Sequence, residues 1–543
     1  MDRNAGMAAD MREMVLETLS EVLEREFPDD KQLELDASEE FPEALIRKML
    51  SPELGLHLVF LPESVGGLGG GARDICAFAE RIATIDIGLA TAFLGVSLGT
   101  DPIIVGGTEE QRAHWLGRIA EEGCIVAYAV TEPEAGSNLS ALRATAEPIL
   151  GDGGDVTGYR LNGAKQFITN GGVADLYTVL AKAPGGPCFF VVEKGAKGLV
   201  IGKQEEKHGI RSSVTTGLVF EDLEVPASHL LGGVEGEGLS QANKVFGYTR
   251  LMVGGFGLGG ARAALDRAIA YAKVRVQSGS KLIDKQGYTF KLLVPHWIDL
   301  CAGKAYIEEI ATRLDRGEEG LQVEGSIAKL WATETANRAA DAAVQALGGY
   351  GYVREYLVEK YRRDCRILTI YEGTSEIQQH IIALYRWKET VRSKGAFYED
   401  LAAEMDGLHG SRPDIGADLV AAAVRGLNRT IQHAHKSKLT RQQSVMFSLA
   451  DTIATNEVAA AFCRRTADRP TDVDMCRVFA RKAMSQTLRG NELCATGFLE
   501  SSDHAGIEGA KKLQSELVES HDSARMAGLL SDMGAVGEML RSD

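Results

Sequence analysis

The stretch RLMVGGFGLGGARAALDRAIAYAKVRV (Arg250–Val276) decides the fold, because it holds a G-x-G-x-x-G pattern at Gly255, Gly257 and Gly260. Placed after a strand and before a helix, that pattern would mark a dinucleotide-binding loop. Only LMV precedes it, no buried strand follows, and Asp284 lies too late, in a polar turn, for the acidic partner expected ~20 residues on. Gly and Ala at close helical spacing instead predict one helix that another element approaches closely. The nicotinamide-dehydrogenase reading is set aside.

Outward from this helix the texture changes twice. Residues 1–121 repeat apolar side chains at helical spacing, as in MREMVLETLSEVLEREF and ARDICAFAERIATIDIGLATAFLG. Residues 122–235 are short β-like runs (IVAYAVTE, YRLNG, KQFITNGG, PCFFVVEKG, GLVFEDLEVP) cut by turn signals such as PGGP, which predicts an antiparallel β domain. Helical periodicity returns over 236–395. The Gly/Ser/Pro-bearing DGLHGSRPDIGADL (406–419) reads as the connection to a last helical block within 396–543. Helices, then strands, then helices is not βαβ alternation, so the expected class is multidomain α+β.

The 543 residues exceed one core, and a net charge of −17 argues against a whole-chain nucleic-acid binder. Eight cysteines without a C-x-x-C pair argue against zinc ribbons and fit reduced thiols. With no secretory or spanning pattern, the expected location is cytoplasmic. Residues 425–489 carry 12 basic against 5 acidic side chains, read as a solvated helical surface or, alternatively, an anionic contact with lipid or a polyanion. His433 and His435 resemble a metal pair but point apart at i,i+2 on a helix, and His380 reads as an ordinary core or surface histidine, so no metal is expected.

The most informative stretch is ALGGYGYVREYLVEKYRRDCRILTIYEGTSEIQQHII (346–382). Ser375 is read as a helix N-cap with Gln378 as its capping-box partner, which puts Glu372 in a short loop just before a helix. Spacing alone leaves two readings of Glu372: a surface carboxylate favoured by the helix dipole, or a general base.

IYEGTSEIQ, AYAVTEPEAGSNLSAL (127–142) and LNGAKQFITNGGVADLYTVLAKA (161–183) strongly resemble the acyl-CoA dehydrogenase family of flavoproteins. So do HGIRSSVTTGLVFEDLEVPASHLLG (208–232), RVQSGSKLIDKQ (275–286) and AKLWATETANRAADAAVQALGGYGYVREYLVEKYRRD (328–364). The resemblance implies an N-terminal helical domain, a central β domain and a C-terminal four-helix bundle, with 396–543 as the added helical domain of longer members. It implies FAD as cofactor and α,β-dehydrogenation of an acyl-CoA thioester to the trans-2-enoyl-CoA. Glu372 matches the family's base, with its own N–H as a donor to the thioester oxygen.

Cofactor residues carry over by position. Thr131, Phe167 and Thr169 match residues at the flavin ring. Arg275 and Gln286 match residues that reach the FAD of a neighbouring subunit. Gln345, Gly349, Thr374 and Glu376 match the adenine side. Ser137 matches a residue contacting FAD or CoA, Gly373 lies beside the substrate, and Arg250 is either a CoA-channel arginine or a structural ion-pair partner. The resemblance also implies an electron-transferring flavoprotein as acceptor and a homo-oligomer, dimer or tetramer. Alternatives are an acyl-CoA oxidase using O₂ and a DNA-associated non-catalytic relative; peripheral membrane contact through the C-terminal region is a further reading. Relatives have mainly Ala where this chain has Gly254, Gly255, Gly257, Gly259 and Gly260, which suggests a pocket widened for a bulky acyl group. Ser278, LLVPHWIDL (292–300) and Gly247 depart from the family pattern and put CoA and inter-subunit details in doubt.

Overall fold

The structure, a computed structural model, describes residues 6–496, 508, 515 and 526–542. Parts of the C-terminal region read as an added helical domain (497–507, 509–514, 516–525 and 543) therefore lie outside the described residues. The chain forms two compact units: Met1–Ala263 with Ala311–Glu319 and Arg354–Glu372, and Ala264–Ile310 with Gly320–Val353 and Gly373–Asp543.

The first unit opens with α1 (Ala9–Glu26), α2 (Asp29–Ser38), α3 (Glu43–Leu50), α4 (Ala72–Ile85), α5 (Ile87–Gly106) and α6 (Glu109–Glu122). α5 is apolar enough to span a membrane by length and composition, yet nearly all of it is buried, as the core helix of this unit. Asp86 caps it, accepting the Leu89 N–H at 2.6 Å. The strands follow: β1 (Val126–Ala129), β2 (Thr145–Leu150), β3 (Val156–Thr169), β4 (Leu176–Ala183), β5 (Gly186–Glu193), β6 (Leu199–Gln204) and β7 (Thr215–Pro226).

They form one sheet in the order β1-β4-β2-β3-β7-β6, with β5 also on β4. Most ladders are antiparallel, but the expectation of a purely antiparallel sheet needs correction. β1 joins β4 in parallel (Val126↔Leu176), and β2 touches β4 in parallel at one pair. Parallel pairing needs a long crossover, and here the β2–β3 hairpin lies in the chain between β1 and β4. YRLNG and KQFITNGG, read as two runs, are one strand, β3, whose register shifts at Leu161/Gly163 and Lys165/Ile168.

The opening glycine stretch lies inside one 37-residue helix, α7 (Gly238–Val274), as the missing strand requires. Its glycines do not act as the pocket-widening reading expects at every position. A Cβ on Gly255 would come within 2.8 Å of Ala79 Cβ and 2.9 Å of the Cys76 carbonyl. One on Gly259 would strike the Glu80 carbonyl, and one on Gly260 would meet Ile87 and Cys365. Gly255 and Gly259 let α7 lie close against α4, and Gly260 leaves room for the Ile87 and Cys365 side chains, so the three serve packing and not cavity volume.

The second unit contains the C-terminal part of α7, the β8–β9 pair (Val276–Gln277, Ser280–Lys281), α8 (Gln286–Leu292), most of α9 (Val294–Asp315) and α10 (Gln322–Leu347). After α11 (Leu357–Cys365), which belongs to the first unit, come α12 (Ser375–Arg392), α13 (Ala396–Ser411), α14 (Ala417–Lys436), α15 (Gln443–Asp468), α16 (Val473–Thr496) and the terminal α17 (Leu529–Ser542). α10, α12 and α15 pack together, and α14 packs on α13 and α16. The 406–419 connection is shorter than expected, because α13 continues to Ser411.

The basic surplus at 425–489 is largely consumed by carboxylates of the same unit. Arg425 pairs with Glu399 and Asp406, Arg464 with Glu309 and Glu404, and Arg465 with Glu308 and Asp472. Arg477 and Arg481 share Asp532, and Lys482 holds Asp299. Half of the twelve cations thus pair with carboxylates of neighbouring helices, several of them at partly exposed positions.

Gly259→Ala tests the close approach. Ala favours a helix interior by up to ~1 kcal/mol, while overpacking costs about 1–3 kcal/mol. The clash is with backbone, which cannot swing aside, so a net loss of stability in urea unfolding is expected. A more stable variant would refute the backbone contact.

Candidate active site

The carboxylate singled out in the sequence ends the first unit. α11 closes at Cys365, a short 3₁₀ turn follows (Arg366–Thr369), and Glu372 then takes φ +53°, with Gly373 at +87°. Two consecutive left-handed residues reverse the chain sharply. The first is uncommon for a side chain of this length, costing roughly 1–2 kcal/mol. Gly373 allows the second, since a Cβ there would lie 2.6 Å from Gln378 Nε2.

The turn is held from within the second unit. Lys329 Nζ (2.8 Å) and Gln378 Nε2 (3.0 Å) both donate to the Gly373 carbonyl. The sequence-based cap is corrected by one residue. Thr374 is the N-cap of α12, its Oγ1 accepting from Ile377 N–H at 3.4 Å, while Ser375 is the first helical residue and donates to Glu334 at 2.6 Å. The left-handed pair turns the chain one residue earlier than a plain loop would.

Around the Glu372 side chain, the first unit supplies Thr249 and Arg250 from α7, Tyr128 from β1, and Tyr371. Thr249, fully buried, donates from Oγ1 to Glu372 Oε2 at 3.1 Å. Burial lowers the pKa of Arg250 while the Glu372 charge opposes that shift, so this buried cation feels the carboxylate directly. Burial, then the charges of Glu372 and Asp101, push the Tyr128 phenol upward. The Tyr371 phenol is also pushed up by burial, with the Glu372 charge adding to it, and its hydroxyl lies 3.4 Å from that of Thr91. A hydroxyl donor and a buried cation thus stand near the Glu372 carboxylate. The carboxylate itself is half-buried and hydrogen-bonded.

A second cluster in the first unit is organised by a buried ion pair that the sequence reading missed. Lys165 Nζ donates to Glu132 Oε1 at 2.7 Å and to the Val130 carbonyl at 3.1 Å. Glu132 also accepts the N–H groups of Arg143 (2.7 Å) and Ala144 (3.0 Å). Both side chains are withdrawn from solvent, and burial pulls the Lys165 pKa down to about 8. The pair closes the 130–144 loop, which presents Thr131 and an exposed Ser137, and Gln166 N–H reaches the Thr131 carbonyl at 2.9 Å. Next to it, Phe167 sits at the β3 bulge with φ +59° and 64% of its surface exposed. Thr169 ends the strand, and Asn170 (φ +62°) is anchored to the Ala92 carbonyl. Locally the sequence offers only two charged residues, Glu132 after β1 and Lys165 within β3, with nothing to join them.

The other predicted residues lie in the second unit. Arg275 stands 6.0 Å over the Tyr350 ring, beside Gly349. Gln286 opens α8, which is tied to the end of α10 by the Tyr288 hydroxyl on the Ala346 carbonyl at 3.1 Å. Arg275, Gln286, Gln345 and Gly349 are all exposed and share that end. Thr374 and the exposed Glu376 follow the loop held by Lys329 and Glu334, which lie 11–16 residues earlier on α10, roughly 16–24 Å along the axis. One chain does not bring the four adenine-side residues to one place.

Comparisons with known proteins identify the family of the chain. The acyl-CoA dehydrogenase N-terminal, middle and C-terminal domain models match residues 9–123, 127–223 and 236–384. An acyl-CoA dehydrogenase of Bacillus subtilis is 39% identical over 369 residues, covering 65% of this chain and 91% of that protein. The CarC subunit of the caffeyl-CoA reductase–Etf complex of Acetobacterium woodii is 35% identical over 382 residues, 69% of this chain and 98% of that one. The solved acyl-CoA dehydrogenase of Bacillus anthracis complexed with FAD shares the fold over 98% of this chain and 95% of its own, with TM-score 0.84 at 24% identity. The chain belongs to the acyl-CoA dehydrogenase family and is an FAD-dependent oxidoreductase of that family. The residues present fit the cofactor. A planar apolar ring has Phe167 to cover, an aromatic left exposed on a bulge, and an anionic diphosphate has Arg275 beside the open backbone at Gly349.

Two substitutions follow from this geometry. Glu132→Gln leaves the Lys165 charge buried without its partner, so unfolding free energy should fall by about 3–5 kcal/mol in urea titration; a loss below 1 kcal/mol would mean that the pair is not holding the loop. Thr249→Val removes a hydrogen bond to a charged group worth about 1.5 kcal/mol, so kcat should drop about tenfold while Thr249→Ser retains activity.

Proposed function

We propose that this protein catalyses α,β-dehydrogenation of an acyl-CoA thioester, with Glu372 as the base that removes the α-proton. The observation that carries this is the Glu372 carboxylate itself, hydrogen-bonded by Thr249 in a strained turn beside Arg250. FAD, when bound, supplies the acceptor for the hydride leaving the β-carbon. The chain's own part is alignment and charge: the base must meet a very weakly acidic C–H with little water near it, and a main-chain donor at Glu372 suits the negative charge that grows on the thioester oxygen.

Thr131, Phe167 and Thr169 take the flavin side, with Ser137 on the exposed loop towards cofactor or CoA. Gly373, Thr374 and Glu376 follow the base. The separation of Arg275, Gln286, Gln345 and Gly349 from that turn supports their serving the cofactor of a second copy, hence a homo-oligomer. Electrons pass to an electron-transferring flavoprotein; the likeness to a subunit of a reductase–Etf complex supports this acceptor.

Glu372→Gln keeps the shape and removes the proton acceptor. The variant should bind FAD and fold as before, yet lose at least about 100-fold in turnover across straight, branched, cyclic and aromatic acyl-CoAs with an artificial electron acceptor. Turnover within tenfold of the unaltered protein would exclude Glu372 as the base.

A further inference from the structure

The chain beyond the matched family domains ends in α17, which returns to the segment carrying Gln286. α8 is only seven residues long, too short to be stable without packing. One flank is tied to α10 through Tyr288 and the Ala346 carbonyl. α17 packs on the same short helix: Gly537 faces Thr289 Cγ2 and Phe290, which a Cβ would meet at 3.6 and 3.9 Å, with Val536 and Leu540 buried on either side. Arg541 reaches Asp284, two residues before Gln286, at 3.2 Å.

The position of α17 is itself fixed. Asp532, buried, accepts from Arg477 (Nε 3.0 Å, Nη2 2.6 Å) and from Arg481 Nη1 (2.6 Å), and Arg481 Nη2 caps the Ala527 carbonyl at 2.5 Å. One residue on, Lys482 binds both oxygens of Asp299 on α9 at 2.5 and 2.6 Å. The terminal helix is therefore a strut from α16 to the 282–292 segment.

We propose that α17 positions the cofactor-binding segment, setting the place of Gln286 and, through the β8–β9 turn, of Arg275 for the dinucleotide part of FAD. Gly537, Asp532 and Arg541 are positioning residues that touch no cofactor. The inference rests on the proposed cofactor role of Arg275 and Gln286, and the test separates the two.

Full-length apoprotein is titrated with FAD by flavin fluorescence for Gln286→Ala, Gly537→Leu, Arg541→Glu and the double variant Asp284→Arg/Arg541→Glu. Apoprotein thermal stability is measured alongside. Gln286→Ala, Gly537→Leu and Arg541→Glu are each expected to raise the FAD Kd about fivefold, while the charge swap restores it. If Gln286→Ala weakens FAD but Gly537→Leu and Arg541→Glu do not, the strut is overturned and the cofactor reading survives. If Gln286→Ala has no effect, the cofactor reading fails and takes the strut with it. If Gly537→Leu does not fold, Arg541→Glu and its charge-swap rescue decide the matter alone.

Discussion

The first unit depends on three charges placed where water does not reach. Lys360 Nζ binds Asp364 at 2.6 Å and Asp86, both carboxylates fully buried. Asp86 also caps α5 and accepts the Ser212 hydroxyl at 2.8 Å, while Asp364 accepts the Ile210 N–H at 2.5 Å. Burial alone would strip the lysine of its proton, but the two carboxylates outweigh it and hold its pKa above the ordinary value. Desolvating three ions is tolerable only while all three stay together. The cluster therefore fixes α11 to α5 and to the 210–212 loop, and α11 ends seven residues before Glu372. The strained turn is affordable because its root cannot move.

Much of this was legible in the sequence. The order of helical and β texture located the layers, and the absence of strands around Gly255–Gly260 correctly denied a dinucleotide loop. Glu372 stood out because an apolar run met Gly373. What stayed hidden depended on contacts distant in the chain. Nothing local shows that Thr249 will donate to Glu372, 123 residues away, or that Lys165 on β3 will pair with Glu132 in the 130–144 loop. The cap at Thr374 was missed by one residue, because Ser375 fits a capping pattern equally well until the left-handed pair before it is known. The parallel join of β1 to β4 was missed because alternation along a strand says nothing about its partner's direction.

Charge offers the same lesson from the other side. A basic excess over 425–489 invites a search for an anion outside the protein, yet six of those cations find carboxylates on neighbouring helices of their own unit. Deeper in that unit, Arg386 is shared by Glu324 (2.8 Å) and Glu457 (2.7 Å), and Tyr398 donates to Glu457 at 3.0 Å. Composition counts charges; only packing says which are already spent.

The contact between α4 and α7 has a different kind of consequence. Most helices rest on side chains, which adjust to one another as sequences drift. At Gly255 and Gly259 there is no such cushion, and the height of α7 over its neighbour is set by main-chain atoms and by the Cβ methyls of Ala79 and Ala83, which cannot turn aside. Thr249 rides on that helix fewer than two turns before Gly255, so its reach to Glu372 is inherited from a surface that substitution can enlarge but never trim.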